Sequence, residues 1–302
     1  MRPLFVLVKR NVRLFMKDKG VFFTSLITPF ILLLLYVTFL GKVYRMNFIS
    51  GLPDGIEVSE KLISGFVGGQ LSSSILSVSC ITVAFCSNMI MVADKANGTI
   101  KDLTITPVKK STLALSYFIA TFLNTFAVCL IGMIGSWIYL GISGWYLSFA
   151  DAILILVDVF LMTLFGTACS SFVNSFLSSQ GQISAVGTIV SSCYGFISGA
   201  YMPLSSYASG LSTVLKLLPG TYGTFLFRNH YMNAAIEELQ KETLMPAESI
   251  SELKQAFDVE LVLFDRSVSV GTMYLIVVFS IAVFIGAYVL VNVLRKKKTA
   301  KS

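Results

Sequence analysis

Charge is scarce in this chain. Asp, Glu, Lys and Arg make up 13% of 302 residues, against about 25% in a soluble domain, and the mean hydropathy is +0.79. So little polar surface excludes an ordinary water-soluble globule. There is one histidine, His230, and no Cys-x-x-Cys; the five cysteines (Cys80, Cys86, Cys129, Cys169, Cys193) all stand in apolar runs. Metal and disulfide frameworks are therefore excluded, and the cysteines read as small buried hydrophobes. No Gly-x-x-x-x-Gly-Lys-Ser/Thr occurs, so a nucleotide-binding P-loop is missing. Gly68-Gly69-Gln70-Leu71-Ser72 resembles a fragment of one, but it lies in an apolar run that phosphate cannot reach. No pair of His, Glu or Asp converges within such a run, which sets aside a membrane-embedded enzyme.

Long hydrophobic runs are what the chain has instead. Residues 62–93 carry no charge at all, and about 20 helical residues suffice to cross a bilayer core. Uncharged runs predict six transmembrane helices near 21–41, 63–93, 112–140, 152–172, 183–203 and 268–294. The expected fold is an all-α integral membrane protein in one transmembrane domain spanning 1–302. Lys9, Arg10 and Arg13 interrupt the first apolar stretch, which predicts a retained N-terminus rather than a cleaved signal. Of the 23 Lys and Arg, 15 lie in the N-terminal segment, the 94–111 loop and the tail, which a six-span topology puts on one side. Basic excess marks the cytoplasmic side, so a multi-pass cell-membrane protein with both termini inside is expected. The net charge of +7 then expresses topology, and nucleic acid is not an expected partner; membrane lipid is.

Two flanking segments have their own character. Within 3–19, Leu4, Leu7, Val8, Leu14 and Phe15 alternate with Lys9, Arg13 and Lys17, predicting an amphipathic helix at the interface, either a lever on the first span or a passive anchor. Segment 204–267 is predicted to be a small helical exterior cap. Its apolar part, 204–218, reads as re-entrant or interfacial, and a helix is expected over about 230–243. Ser249-Ile250-Ser251-Glu252 reads as a capping box ahead of an apolar face of Ile250, Leu253, Phe257 and Leu261. His230 reads as a surface residue.

Inside the spans, Gly65, Gly69, Ser73 and Ser77 recur every four residues, as do Gly187, Ser191, Gly195 and Gly199. Small residues at that spacing let helix backbones approach closely. Two readings stand: an interface between subunits flanking a translocation path, or packing within one chain. Asp158 is the carboxylate within a span, and it too has two readings, a transport role or a structural one.

The most informative stretch follows the second run: Asp94-Lys95-Ala96-Asn97-Gly98-Thr99-Ile100-Lys101-Asp102-Leu103-Thr104-Ile105-Thr106-Pro107-Val108. It is too short for a domain and too polar for lipid. Gly98 suits a helix break and Pro107 a turn into the next span. By itself it reads as a solvated turn or as a platform for a partner. With Ser198-Gly199-Ala200-Tyr201-Met202-Pro203 and Leu217-Leu218-Pro219-Gly220-Thr221-Tyr222, it resembles the type-2 ABC-transporter permeases, including the daunorubicin-resistance-like exporters. Gly98, Thr99, Leu103, Thr106, Pro107 and Val108 match; Lys101 stands where that family usually has glutamate.

The resemblance implies a permease that pairs with a second copy or a related permease and docks separate ABC ATP-binding subunits. It makes 94–111 the cytoplasmic coupling segment, with Asp94, Lys95, Gly98, Thr99, Asp102, Leu103 and Pro107 as coupling residues. ATP and Mg would be held by the partner ATPase, with no cofactor in this chain. Export by alternating access follows from the family, and a wall of Ser, Phe, Leu and Tyr suits amphipathic or lipid-like cargo. The competing class is a secondary transporter or channel, for which Asp158 is the supporting residue.

Overall fold

The computed structural model describes residues 2–53 and 56–299. The chain opens with α1 (Arg2–Lys17). A long helix then runs from α2 (Lys19–Leu35) through one π-helical turn (Tyr36–Leu40) into α3 (Gly41–Ser50). Next come α4 (Glu60–Ala96), the short α5 (Thr99–Ile105), α6 (Lys110–Ser143), α7 (Phe149–Ser175) and α8 (Gln180–Ile197). After these lie α9 (Ser209–Lys216), α10 (Pro219–Thr243) and α11 (Ala247–Ala256). A two-residue antiparallel ladder, β1 (Val262–Leu263) with β2 (Arg266–Ser267), precedes α12 (Val270–Thr299).

Helix starts follow from local chemistry. The side chains of Asp18 and Ser59 cap α2 and α4 by accepting from Val21 N and Leu62 N, satisfying amides that have no partner within the helix. Ser148 with Asp151, and Ser179 with Gln182, form reciprocal capping boxes at α7 and α8.

Among the described residues, five helices are long and apolar enough to cross a membrane: Lys19–Ser50, α4, α6, α7 and Val270–Val293 of α12. This is an all-α membrane architecture. The run 183–203, expected as a further span, is less apolar than these five, yet it runs beside α4 from Leu177, bonded to Lys95, to Gly199, bonded to Arg228 near Gln70. It forms the 18-residue α8, whose glutamines and serines dilute its apolar character, and ends at Ile197 before a turn at Gly199 (φ +75°).

Helix α4 is the central post. In its most apolar stretch 83% of residues are buried within the protein, against 19% for Lys19–Ser50 and 22% for α12. It packs on α2, α6, α7, α8 and α10. Its composition accounts for the position: serines and glycines let neighbours come close, while the outer helices turn Phe30, Ile134, Leu275 and Phe279 outward, as lipid-facing surfaces do.

The segment 204–267 departs from expectation in three ways. The helix expected over 230–243 begins eleven residues earlier, at Pro219, whose fixed φ suits the first helical turn. The first half of α10 is the part buried in the bundle, against α4, α7 and α12, while 204–218 touches the core through Leu204 and Leu215 and leaves Leu211 and Val214 of α9 exposed. The Ser249 capping box does not form. Pro246 starts α11 three residues upstream, so Ile250 N already bonds Pro246 O and Ser249 sits inside the first turn. The apolar face is nevertheless as read: Ile250, Leu253, Phe257 and Leu261 are all buried. Phe257 meets Phe66 edge-on at 4.9 Å between centroids, and Phe66 meets Phe48 at 4.5 Å, which fastens this segment to α3 and α4.

Candidate functional site

At the end of α4 the chain turns through Gly98, in the left-handed region (φ +78°, ψ −5°). That conformation costs an L-residue about 1–2 kcal/mol, which explains a glycine between α4 and α5. Leu103 points inward, joining a cluster with Leu7 of α1, Met91 of α4, and Leu113 and Tyr117 of α6. The opposite face of α5 and the turn after it are open: Lys101, Asp102, Ile105, Thr106 and Pro107 are exposed, Ile105 at 84%.

Of the other three platform residues singled out by sequence, Asp94 and Lys95 face the bundle. Asp94 accepts from both terminal nitrogens of Arg10 (2.7 and 3.1 Å) and from the Tyr117 hydroxyl (2.5 Å). Lys95 donates to the carbonyls of Asn174, Ser175 and Leu177 (3.0–3.2 Å), a cation closing the C-terminal end of α7. The root of α5 is thereby tied to α1 and α6 through Asp94 and to α7 through Lys95. Thr99 is half-buried beside Gly98. Arg10, Tyr117 and Ile105 were not singled out by sequence. Arg10 lies 84 positions from its partner, with no local signal, whereas an isoleucine amid the polar platform residues was a readable clue for Ile105.

Helix α1 carries three faces. Leu7, Asn11 and Phe15 are buried; Lys9, Arg13 and Lys17 form an exposed cationic edge; Phe5, Val6, Leu14 and Met16 are exposed and apolar. Leu14 therefore belongs to the outward apolar face and not to the buried one.

The small-residue stripes pack within the chain. A Cβ on Gly69 would lie 2.8 Å from the Tyr231 carbonyl of α10, and one on Gly65 would lie 2.8 Å from the Gly144 carbonyl. Ser77 Oγ meets Thr224 Oγ1 of α10 at 2.5 Å, and Ser73 is buried, bonding the Gln70 carbonyl. On α8, Gly187 abuts Met89 of α4 and Gly195 abuts the Tyr201 ring. Ser191 is half-buried, and Gly199 turns the chain while its carbonyl accepts from Arg228. These contacts all lie within one chain. Cys193 departs from the buried role expected of the cysteines: it is exposed on the outer face of α8.

Asp158 and His230 meet, which corrects the surface placement expected for His230. The histidine is buried, its Nδ1 2.6 Å from Asp158 Oδ2, and the Tyr274 hydroxyl donates to Asp158 Oδ1 at 2.6 Å. His230 and Tyr274 also stack, with centroids 6.2 Å apart. The three residues link α7, α10 and α12. Their separation of 72 and 116 positions hid this in the sequence.

A second buried knot joins α10 to the turn after α11 and to the turn after α8. Arg228 Nη1 donates to Asp258 Oδ2 at 2.8 Å and Nη2 to the Gly199 carbonyl at 2.6 Å. Asp258 also accepts from Leu204 N at 2.5 Å. With its amide oxygen turned to the guanidinium, Gln70 of α4 accepts from Nε and Nη2 at 3.2 and 3.1 Å. Burial pushes the Asp258 carboxyl above the usual carboxylate range, and Arg228 opposes that shift.

A bundle of apolar helices around a buried small-residue post, with a short polar helix slung between two of them, is the architecture of an all-α membrane protein. A family model described as ABC-2 type transporter matches residues 2–231, about three quarters of the chain, and the protein belongs to that family. No curated protein matches it.

Proposed function

We propose that this permease component works in an exporter driven by a separate ATP-binding subunit, with α5 as the element that the ATPase grips. The supporting observation is the two-sided construction of α5. Its outer face, with Lys101, Asp102, Ile105 and Pro107, is open, while its inner face and root are fastened to α1, α6 and α7 through Leu103, Asp94 and Lys95. A push on the open face is passed to three helices at once. In this reading the α5 end and both termini face the cytoplasm, and ATP and Mg bind to the partner. The chain pairs with a second copy or a related permease, and amphipathic or lipid-like molecules are carried outward. Multidrug efflux is one such activity.

The test is reconstitution with a candidate ABC ATP-binding subunit that copurifies with this chain. Leu103→Ala is expected to leave ATP hydrolysis running while ATP-dependent transport into inverted vesicles falls; full transport by that variant overturns the role of α5. One observation favours the competing secondary-transporter reading, the titratable Asp158–His230–Tyr274 set in the bundle. Transport driven by an ion gradient without any ATPase would establish that reading instead.

A further inference from the structure

Between the α5-proximal ends of α6 and α12 the protein leaves a groove of about 1200 Å³, above the roughly 300–1,000 Å³ of ordinary small-molecule pockets. Its walls are apolar, with Leu115 and Phe118 on α6 facing Ile285, Val289 and Val293 on α12. The two helices meet where Phe118 and Tyr288 stack, 6.3 Å between centroids, and where the Tyr288 hydroxyl donates to the Ala114 carbonyl at 3.2 Å. The rim is cationic. Lys109 and Lys110 stand exposed at the mouth, joined by Lys101, and Lys95 lies deeper. Among the described residues no carboxylate lines the groove; the nearby Asp94 is spent on Arg10 and Tyr117.

We infer that this groove seats an anionic phospholipid of the cytoplasmic leaflet, its acyl chains between α6 and α12 and its phosphate at Lys109 and Lys110. The assignment to that leaflet rests on the orientation proposed above. Three features select this occupant. The walls belong to two membrane-length helices, so a lipid reaches the groove sideways, where a soluble anion would have to enter an apolar cleft. The basic rim at the end of those helices is the arrangement that holds lipid phosphates between transmembrane segments, and the cytoplasmic leaflet carries the anionic lipids. The chain's own tail, Arg295 to Lys301, is cationic in sequence and offers no anionic group for a basic rim. No residue of α8 lines the groove, which separates it from a path beside α4 and α8. Ile100 and Lys101 of α5 border it, so a bound lipid would also brace the coupling helix.

The test is native mass spectrometry of the purified chain, delipidated in detergent and offered equal amounts of phosphatidylglycerol and phosphatidylcholine. The wild type is expected to retain phosphatidylglycerol several-fold in preference. Lys109→Glu/Lys110→Glu, both exposed positions, is expected to abolish the preference, and Val289→Trp, which fills the groove, to lower retention of either lipid. Lys61→Glu, at the far end of the bundle, is expected to behave as wild type. No preference in the wild type, an unchanged preference in Lys109→Glu/Lys110→Glu, or unchanged retention in Val289→Trp overturns the proposal. Displacement by glycerol phosphate would overturn it in favour of a headgroup-sized anion site, and a dimer that excludes lipid would assign the groove to a second copy. The assay contains no ATPase, so it stands apart from the coupling reading. External labelling of a Lys109→Cys variant in cells would sink the orientation while leaving the lipid preference readable.

Discussion

Two arginine–aspartate pairs sit at opposite ends of α4, and they differ in how much water reaches them. At the cap end, Arg228 and Asp258 are sealed, their side chains 0% and 2% exposed, with Gln70, Gly199 and Leu204 completing the bonds. At the α5 end, Arg10 and Asp94 are 29% and 11% exposed and share a single tyrosine. A sealed charge pair cannot exchange its partner for water, so opening it leaves an uncompensated buried charge. A pair that water partly reaches on the arginine side can open at lower cost than a sealed one. The cap end is thus built as a fixed clasp and the α5 end as a joint that can rearrange, in keeping with the partner proposed to act through α5.

The largest expected effect is at the clasp. Arg228→Met should lower stability by about 3–5 kcal/mol, read as a large drop in thermal midpoint in detergent. Arg228→Met/Asp258→Leu should recover most of it; equal melting of the two variants would dissolve the contrast. Next comes Asp158, which braces α10 between α7 and α12. Asp158→Ala should cost about 1–3 kcal/mol by stranding His230 and Tyr274, whereas Asp158→Asn should melt near wild type. A stable Asn variant that has lost transport would move this residue from brace to mechanism.

Smaller stability effects belong to the joint. Gly98→Ala meets no atom within 4 Å, so its cost is the left-handed backbone alone, about 1–2 kcal/mol, while ATP-dependent transport should fall much further than the melting curve. Smallest is Asp94→Asn. Loss of a partly wetted pair should change stability by about 1 kcal/mol or less, with transport per ATP hydrolysed as the readout that responds. A large melting shift there would mean that the joint is a second clasp.

Much of the helical plan was legible. The uncharged run 62–93 lies within α4, and the four-residue recurrence of Lys9, Arg13 and Lys17 does form one exposed edge of α1. These are local patterns, carried by hydropathy and by the 3.6-residue period. Gly98 was legible for the same reason, since a single backbone requirement selects glycine. The capping box at Ser249 was misread because a local motif lost to a stronger local constraint, Pro246, three residues upstream. His230 was misread for a different reason. A lone histidine in a polar stretch gives no hint that α10 carries it to Asp158.

From its amino acids alone the chain is committed to lipid, to helices, and to a short polar element after its most uncharged helix, because hydropathy, charge placement and glycine conformation act over a few residues. Tertiary structure decided the rest. It set which face of α5 stays open, which aspartate is sealed and which is wetted, and that α10 enters the bundle to complete the Asp158 site. Those outcomes depend on contacts between groups 30 to 116 positions apart, which no local pattern encodes.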